Sequence, residues 1–426
     1  MIGGACPNVA CLPSKNVIYS AKAVSLVDPI AGLGVVTGSL NVDMPGVARR
    51  KRNMVDGLAQ LHLARFQASG AELAMGEARF TEPKTVEVTS HVCNTRLLRG
   101  DRVFLCVGSR ASIPNVPGLA EAAPLTHVEA LNLERVPDHL VILGGGYVGL
   151  EFAQAMRRFG SRVTIIQRGP QLLEREDPDV SDALLELMKD NGIEVMLGAE
   201  VLSVLGRSGT GLTLKICAGA VESTIEASDI LVAAGRTPNT DRLDLARAGI
   251  GLDSRGYVQV DERLRTSAAD VWAMGDCAGS PQFTHVAYDD FRVVLDNLAG
   301  GSRSTRDRLI PYCLFTDPEL AHVGLSESEA KAKNLHYRVT TLPMSQVMRM
   351  RTLSATRGFM KALVAKDDRI LGFTAFGAEA SESMAVVQTA MLGSMPYTAL
   401  RDAIFTHPTA SEGLVFLFTS GTWTAI

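Results

Sequence analysis

The spacing of apolar residues changes character along the chain and divides it. Residues 139–143, His-Leu-Val-Ile-Leu, form a short apolar run that leads into Gly144-Gly145-Gly146-Tyr147-Val148-Gly149, the pattern of a buried strand entering a tight turn. Residues 150–159 then carry helical apolar spacing, Gly160 stops it, and 162–166 are rich in β-branched residues, which predicts strand, helix and strand in one βαβ unit of about 30 residues. The alternation goes on with a helix over about 179–191, a strand over 193–197, alternating segments over 201–216 and a buried strand over 230–233. Together these predict one nucleotide-sized domain spanning 137–257. A strand at 102–107 ending in Gly108-Ser109 precedes it, and another at 270–274 ending in Gly275-Asp276 follows it. Two such strand ends flanking an inserted domain predict one discontinuous domain, 1–136 with 258–308. From about residue 311 longer alternating segments give way to helices over 380–392 and 397–404, an α+β texture assigned to a third domain, 309–426. The expected fold class is therefore α/β, with two Rossmann-like nucleotide-binding domains and a C-terminal α+β domain.

Composition narrows the class of function. A chain of 426 residues exceeds what one core usually serves, and 46% hydrophobic with 21% charged residues is the balance of an ordinary globular protein rather than a disordered one. A net charge of -4 gives no footprint for nucleic acid or an anionic membrane, so the expected partners are small molecules. No apolar run approaches the roughly 20 residues that span a bilayer, and the first residues lack a signal-peptide pattern, so a cytoplasmic protein is expected. Of the seven cysteines, Cys93, Cys106, Cys217, Cys277 and Cys313 are scattered singly and read as packing residues. Cys6 and Cys11 sit together in a Gly- and Pro-rich stretch and need a chemical explanation.

Gly144, Gly146 and Gly149 form G-x-G-x-x-G between a strand and a helix, a pattern that sets pyrophosphate oxygens against backbone N–H groups at the helix N-terminus. The second strand ends in Gln167-Arg168 where NAD binders carry an acidic residue, and Arg175 follows. Two arginines suit a 2′-phosphate, so NADP is favoured over NAD; the alternative is that they are solvated charges. On a regular helix, Cys6 and Cys11 would be separated by an axial rise of about 7.5 Å and point about 140° apart. That separation exceeds disulfide geometry, so a redox pair requires a distorted first turn, for which Pro7 and the glycines before it are the expected cause. Half of a metal site is the rival reading, but no second Cys or His cluster with ligand spacing accompanies it. His407 precedes Pro408, which is expected to start a helix and leave the imidazole outside it, free to turn back to Glu412.

Three stretches, 3–15 (Gly-Gly-Ala-Cys-Pro-Asn-Val-Ala-Cys-Leu-Pro-Ser-Lys), 144–151 and 407–412 (His-Pro-Thr-Ala-Ser-Glu), resemble in this order the signatures of the class I pyridine nucleotide-disulfide oxidoreductases. Ala234-Gly235-Arg236-Thr237-Pro238-Asn239 resembles the segment that closes the family's nicotinamide domain, and Ala273-Met274-Gly275-Asp276 its flavin-ribityl motif. The resemblance covers essentially the whole chain. It implies FAD, a nicotinamide cofactor, and electron flow from nicotinamide through flavin to a Cys6–Cys11 disulfide. By the same resemblance Cys11 is the flavin-side thiol and Cys6 the interchange thiol. Lys15 and Glu151 match the ion pair near the flavin, and Tyr147 matches the gate over the nicotinamide pocket. Gly4, Gly108, Ser109, Asp276 and Thr284 fall on FAD-contacting positions, and the segment around Ala78 resembles an adenine contact. Gly144, Gly146, Val148, Gly149, Gln167, Arg168, Arg175 and Gly235 fall on the nicotinamide-nucleotide side. His407 with Glu412 matches the acid/base dyad supplied to the other subunit of a homodimer, which makes the third domain a dimerisation domain.

The closest texture within the family is that of mercuric-reductase-like and reactive-chlorine-resistance flavoproteins, with dihydrolipoyl dehydrogenases near by. The last residues, Thr422-Trp423-Thr424-Ala425-Ile426, hold no cysteine pair of the kind that captures mercury, so mercury specificity is not expected, and a disulfide, a metal ion or an oxidant is the expected substrate. The family's usual first βαβ unit, with its own glycine motif, does not precede Cys6, so the FAD domain is expected to be N-terminally truncated. That expectation leaves open a catalytically impaired dinucleotide-binding remnant acting as sensor or scaffold, and a dihydrolipoyl-type dehydrogenase is a further alternative.

Overall fold

The computed structural model describes residues 2–27, 38, 40–90, 92 and 94–425, which leaves Cys93 outside the described residues. At its centre is a parallel sheet of four strands in the order Asp229–Val232, His139–Leu143, Arg162–Gln167 and Glu194–Leu197. All five residues of His139–Leu143 are buried, as expected of a parallel strand covered on both faces. Helix Tyr147–Phe159 crosses from His139–Leu143 to Arg162–Gln167 and stops at Gly160, whose φ of 113 is left-handed, a conformation that glycine adopts without steric penalty. Helix Pro178–Asp190 makes the next crossover. An antiparallel sheet of Ala199–Arg207, Gly211–Ala218 and Val221–Ala227 packs beside it. The last of these strands was not expected, because most of its residues are exposed and it carries no apolar alternation.

Val103–Leu105 pairs in parallel with Val271–Ala273, joining the chain segments that flank this unit. Towards the N-terminus, a short helix Ala5–Val9 is followed by Cys11–Ser25 and then by a 25-residue helix, Met44–Ala68, capped by the Asp43 carboxylate on the Gly46 N–H at 3.0 Å. This long helix was not expected from the sequence. Only Met44, Ala48 and Lys51 of it are buried, so it lacks the apolar stripe that announces a helix.

The C-terminal unit is built on a six-stranded sheet ordered Tyr312–Leu314, Glu319–Gly324, Ile370–Gly377, Phe359–Ala365, Tyr337–Pro343 and Thr422–Ala425. Helix Ala380–Leu392 matches expectation, whereas the helix expected over 397–404 ends at Arg401. One core cluster takes in Val17 and Ala21 near the cysteines, Leu140 and Leu150 of the parallel-sheet unit, and Leu314, Leu320 and Phe376 of the C-terminal sheet. Sharing buried side chains in this way fixes the three units against one another. No helix among the described residues is long and apolar enough to cross a membrane.

Candidate functional site

The N-terminal chain enters through Gly3 and Gly4, both at left-handed φ (87 and 75), turns through Ala5–Val9 and breaks at Ala10 (φ -130, ψ -103) before restarting at Cys11. The distortion expected at Pro7 therefore falls at Ala10. Pro7 lies in the first turn of its helix, where backbone N–H groups have no intrahelical acceptor and a proline removes no hydrogen bond. The break brings the two sulfurs within hydrogen-bonding reach of each other. Both are free thiols, the reduced form of the expected bridge.

The two thiols are unequal. A hydrogen bond from Cys6, one with Thr284 and the charge of Lys15 together outweigh burial and the Glu151 carboxylate, and hold Cys11 down to about 6. The Cys11 Sγ to Thr284 Oγ1 distance is 3.2 Å. Cys11 also opens a 15-residue helix, whose positive end favours a thiolate. Cys6 is pushed the other way, first by its hydrogen bond to Cys11 and then by burial. Cys11 is the resident thiolate and Cys6 keeps its proton.

One helical turn beyond Cys11, Lys15 extends its ammonium to Glu151 at 2.9 and 2.7 Å. Glu151 is 6% exposed and also accepts the Phe315 N–H at 3.0 Å, while Lys15 lies 4.8 Å from the Phe315 ring centroid. Tyr147, the first residue of the helix after the glycine loop, donates its hydroxyl to Glu176 Oε1 at 3.1 Å, and Tyr312 donates to the same oxygen at 2.7 Å. Burial, then the adjacent carboxylate, raises both phenols well above their ordinary range, so both are hydrogen-bond donors at neutral pH. Phe283 stacks on Tyr312 and meets Tyr147 edge-on. Because Thr284 follows Phe283 and touches Cys11, this aromatic group and the thiols form one site. Glu176, Tyr312 and Phe315 were not identified as site residues from the sequence, since a lone carboxylate and two separated aromatic residues carry no motif.

In the glycine loop, Gly144 has φ 110 and a Cβ there would lie 2.5 Å from the Ala233 carbonyl oxygen, while a Cβ on Gly149 would lie 2.0 Å from that of Gly144. A Cβ on Gly146 would meet nothing within 4 Å. A tight turn, a close helix–strand approach and open space at the helix N-terminus suit a pyrophosphate, and a pyridine dinucleotide fits them. Val148 is exposed on the same first turn. Gln167 faces inward, accepting the Gly145 N–H at 2.8 Å and donating to Glu174 at 2.9 Å, so its side chain braces the loop. Arg168 and Arg175 are exposed, and neither makes an ion pair among the described residues.

Ser109 donates to Asp276 and accepts from Arg236 Nε at 2.7 Å, and Arg236 lies 3.6 Å from Asp276. Gly108 and Gly235, next to this trio, take left-handed φ of 66 and 114. An ammonium, two hydroxyls and a carboxylate, with left-handed glycines at Gly4 and Gly108 where a Cβ would meet nothing within 4 Å, fit FAD, which Lys15, Ser109, Asp276 and Thr284 would hold. Ala78 is exposed on strand Glu77–Glu82. His407 Nδ1 meets both Glu412 oxygens at 3.0 Å, as expected. The helix does not start at Pro408, which follows a cis peptide bond; it runs Gly413–Ser420. Residues 408–412 are instead a turn held by Thr409, which donates to the Thr406 carbonyl and accepts the Glu412 N–H. The imidazole is exposed and makes no hydrogen bond to Cys6 of its own chain among the described residues.

A dinucleotide loop and a polarised dithiol sharing one aromatic-lined site define a nucleotide-dependent dithiol oxidoreductase. Residues 1–290 match the pyridine nucleotide-disulphide oxidoreductase family and 310–417 its dimerisation domain. The chain belongs to this family, a flavin- and pyridine-nucleotide-using family of oxidoreductases. The probable pyridine nucleotide-disulfide oxidoreductase RclA of Escherichia coli is 33% identical over 423 residues, 98% of this chain and 91% of that protein. Mercuric reductase of Bacillus cereus is 30% identical over 416 residues, 97% of this chain and 65% of that protein. Among solved structures, the HOCl-induced flavoprotein disulfide reductase RclA of E. coli superposes with a TM-score of 0.88 at 33% identity, covering 98% of this chain and 91% of that one. LpdA of Mycobacterium tuberculosis superposes with a TM-score of 0.88 at 26% identity, covering 97% and 90%. The expectation that an N-terminal unit is lacking is not borne out by the family match, which takes in residues 1–290.

Proposed function

We propose that this flavin-dependent oxidoreductase takes electrons from NADPH and delivers them through Cys11 and Cys6 to a small-molecule disulfide, metal ion or oxidant. The inequality of the two thiols carries this reading. When bound, FAD supplies the two-electron link between nicotinamide and dithiol. Lys15, Ser109, Asp276 and Thr284 hold it within 1–136 and 258–308, the glycine loop and Arg168 and Arg175 hold the nucleotide within 137–257, and 309–426 forms the homodimer.

Cys6 retains its proton and therefore needs a base to become a nucleophile. His407 of the partner subunit is that base, its Nδ1 oriented by Glu412 and its Nε2 free to take the proton. For a disulfide substrate, Cys6 Sγ attacks one sulfur, and the departing thiolate recovers the proton from His407. The Cys11 thiolate then attacks Cys6 Sγ, closing the protein disulfide and expelling the second substrate thiolate. Copper complexes of RclA and the mercury chemistry of the second relative support metal ions as substrates, and the HOCl induction of RclA supports oxidants. A reducing compartment keeps such a dithiol open, which favours the cytoplasm.

Replacing Cys6 by Ser tests the assignment. Disulfide or metal reduction should be lost, while oxidation of NADPH by acceptors that take electrons directly from flavin continues. Disulfide reduction retained in that variant would refute it.

A further inference from the structure

The carboxylate under the gate tyrosine has no part in the thiol chemistry, yet it is unusually placed. Glu176 is 5% exposed and makes no ion pair among the described residues. A buried carboxylate without a cation is costly unless hydrogen bonds satisfy it. Here two phenols converge on the single atom Oε1, Tyr147 at 3.1 Å and Tyr312 at 2.7 Å.

The two donors differ in freedom. Tyr312 lies in a strand and is clamped between rings, 6.0 Å from Phe283 at an interplanar angle of 2° and 5.0 Å from His322 at 26°. Tyr147 begins a helix and meets Phe283 and Tyr312 only edge-on, at 6.3 and 5.9 Å. The acceptor is fixed as well. Asp177, the next residue, accepts from the N–H groups of Glu327 and Ser328 at 2.9 and 3.0 Å, from Ser328 Oγ at 2.7 Å and from Lys361 at 3.0 Å. Of the two phenols, Tyr147 is the one held by edge contacts and not by a stack.

We propose that Glu176 is a positioning residue that latches Tyr147 closed over the nicotinamide pocket, and that Tyr312 keeps the carboxylate satisfied while the gate is open. The latch rests on the reading of Tyr147 as the gate in the proposed function. A nucleotide that inserts its nicotinamide must break the Tyr147 hydrogen bond. A fragment that ends at the ribose leaves the latch untouched, so the latch lowers affinity only for the complete nucleotide. Both tyrosine substitutions leave the carboxylate in place, and they have opposite consequences. Phenylalanine at 147 removes the bond that must break, whereas phenylalanine at 312 leaves Glu176 dependent on Tyr147 and tightens the gate.

Calorimetric titration of the flavin-loaded dimer with NADP+ and with 2′-phospho-ADP-ribose, paralleled by NAD+ and ADP-ribose, separates these effects without turnover. Tyr147→Phe is expected to bind the complete nucleotide roughly tenfold more tightly than the wild type, the scale of one hydrogen bond to a charged acceptor. Tyr312→Phe is expected to bind it several-fold more weakly, and both variants should bind the fragment as the wild type does. Shifts of the same sign in the two variants, or equal shifts for fragment and nucleotide, would overturn the latch while leaving the function standing. Wild-type protein that binds neither fragment nor nucleotide would overturn both.

Discussion

Thr284→Val replaces a hydroxyl by a methyl of nearly the same volume at the atom that touches Cys11. The Thr284 Oγ1 to Cys11 Sγ distance of 3.2 Å is a hydrogen bond to a charged acceptor, worth about 1.5–3 kcal/mol. Because Thr284 is exposed, the low end applies, and about 1.4 kcal/mol moves a titration midpoint by about one pH unit. In the wild type, Cys11 is held at about 6, so thiolate exceeds thiol by about ten to one at pH 7. In Thr284→Val the midpoint should rise to about 7 and the ratio should fall to about one to one. Cys6→Ala removes the larger influence, the hydrogen bond from Cys6, and should raise the midpoint further. Cys6→Ser keeps a donor and should lie between the wild type and Cys6→Ala. The assay is the alkylation rate of the peptide containing Cys11 against pH, with iodoacetamide as the probe and mass spectrometry to separate Cys11 from the other cysteines. A wild-type midpoint at the ordinary thiol value of 9.0, or midpoints that do not move in Thr284→Val and Cys6→Ala, would show that these contacts do not set the thiolate.

Arg168→Ala combined with Arg175→Ala should raise KM for NADPH at least tenfold and leave KM for NADH nearly unchanged, as expected when charge-assisted contacts to one phosphate are lost; equal effects on both nucleotides would remove the case for a 2′-phosphate site. Gly149→Ala places a Cβ 2.0 Å from the Gly144 carbonyl oxygen, so it should lower the melting temperature and abolish retention on a nucleotide-affinity resin, while a variant that still binds would show that the helix can move away. Asp177→Ala leaves Lys361, 2% exposed, with only Asp179 and Glu327, and should lower stability to urea by about 3 kcal/mol, the low end for a broken buried pair. Asp177 is held down to about 2 because hydrogen bonds from Ser328 and Glu327 and the charge of Lys361 outweigh burial. Its contribution is therefore complete above the ordinary value of 3.8 and is lost as pH falls towards 2, so the difference between wild type and Asp177→Asn should shrink below about pH 4, as read by acid unfolding.

The parts of the site visible in the sequence were those whose residues are neighbours in the chain. The glycine loop was legible because Gly144, Gly146 and Gly149 sit between a strand and a helix whose apolar periods differ, and the structure reproduces strand His139–Leu143 at the expected limits. Cys6 and Cys11 were legible as a pair, but the cause of their approach was not. A proline is a visible helix breaker, whereas the bend falls at Ala10, a residue that carries no such signal. Glu176 and Tyr312 illustrate the other limit. They are 136 residues apart, and their meeting depends on how the C-terminal strand Tyr312–Leu314 reaches the nucleotide-binding unit. Helix Met44–Ala68 escaped for a third reason, since three buried positions in 25 residues give no periodic signal.

In the proposed function the unequal thiols also set the order of events. Two equally acidic thiols would offer a substrate either sulfur, and capture by the flavin-side sulfur would leave the mixed disulfide in the position needed for electron entry. Here Cys11 is ionised at the start of a helix, with Thr284 and Lys15 on it, and the low pKa that keeps it charged also makes it the weaker nucleophile towards an external disulfide. Cys6 is more basic and more nucleophilic once deprotonated, but it is silent until a base arrives. Within one chain among the described residues His407 makes no hydrogen bond to it, although Glu412 already orients the ring. On the proposed function, substrate reduction is therefore conditional on the second subunit, while electron entry at Cys11 depends on residues of a single chain.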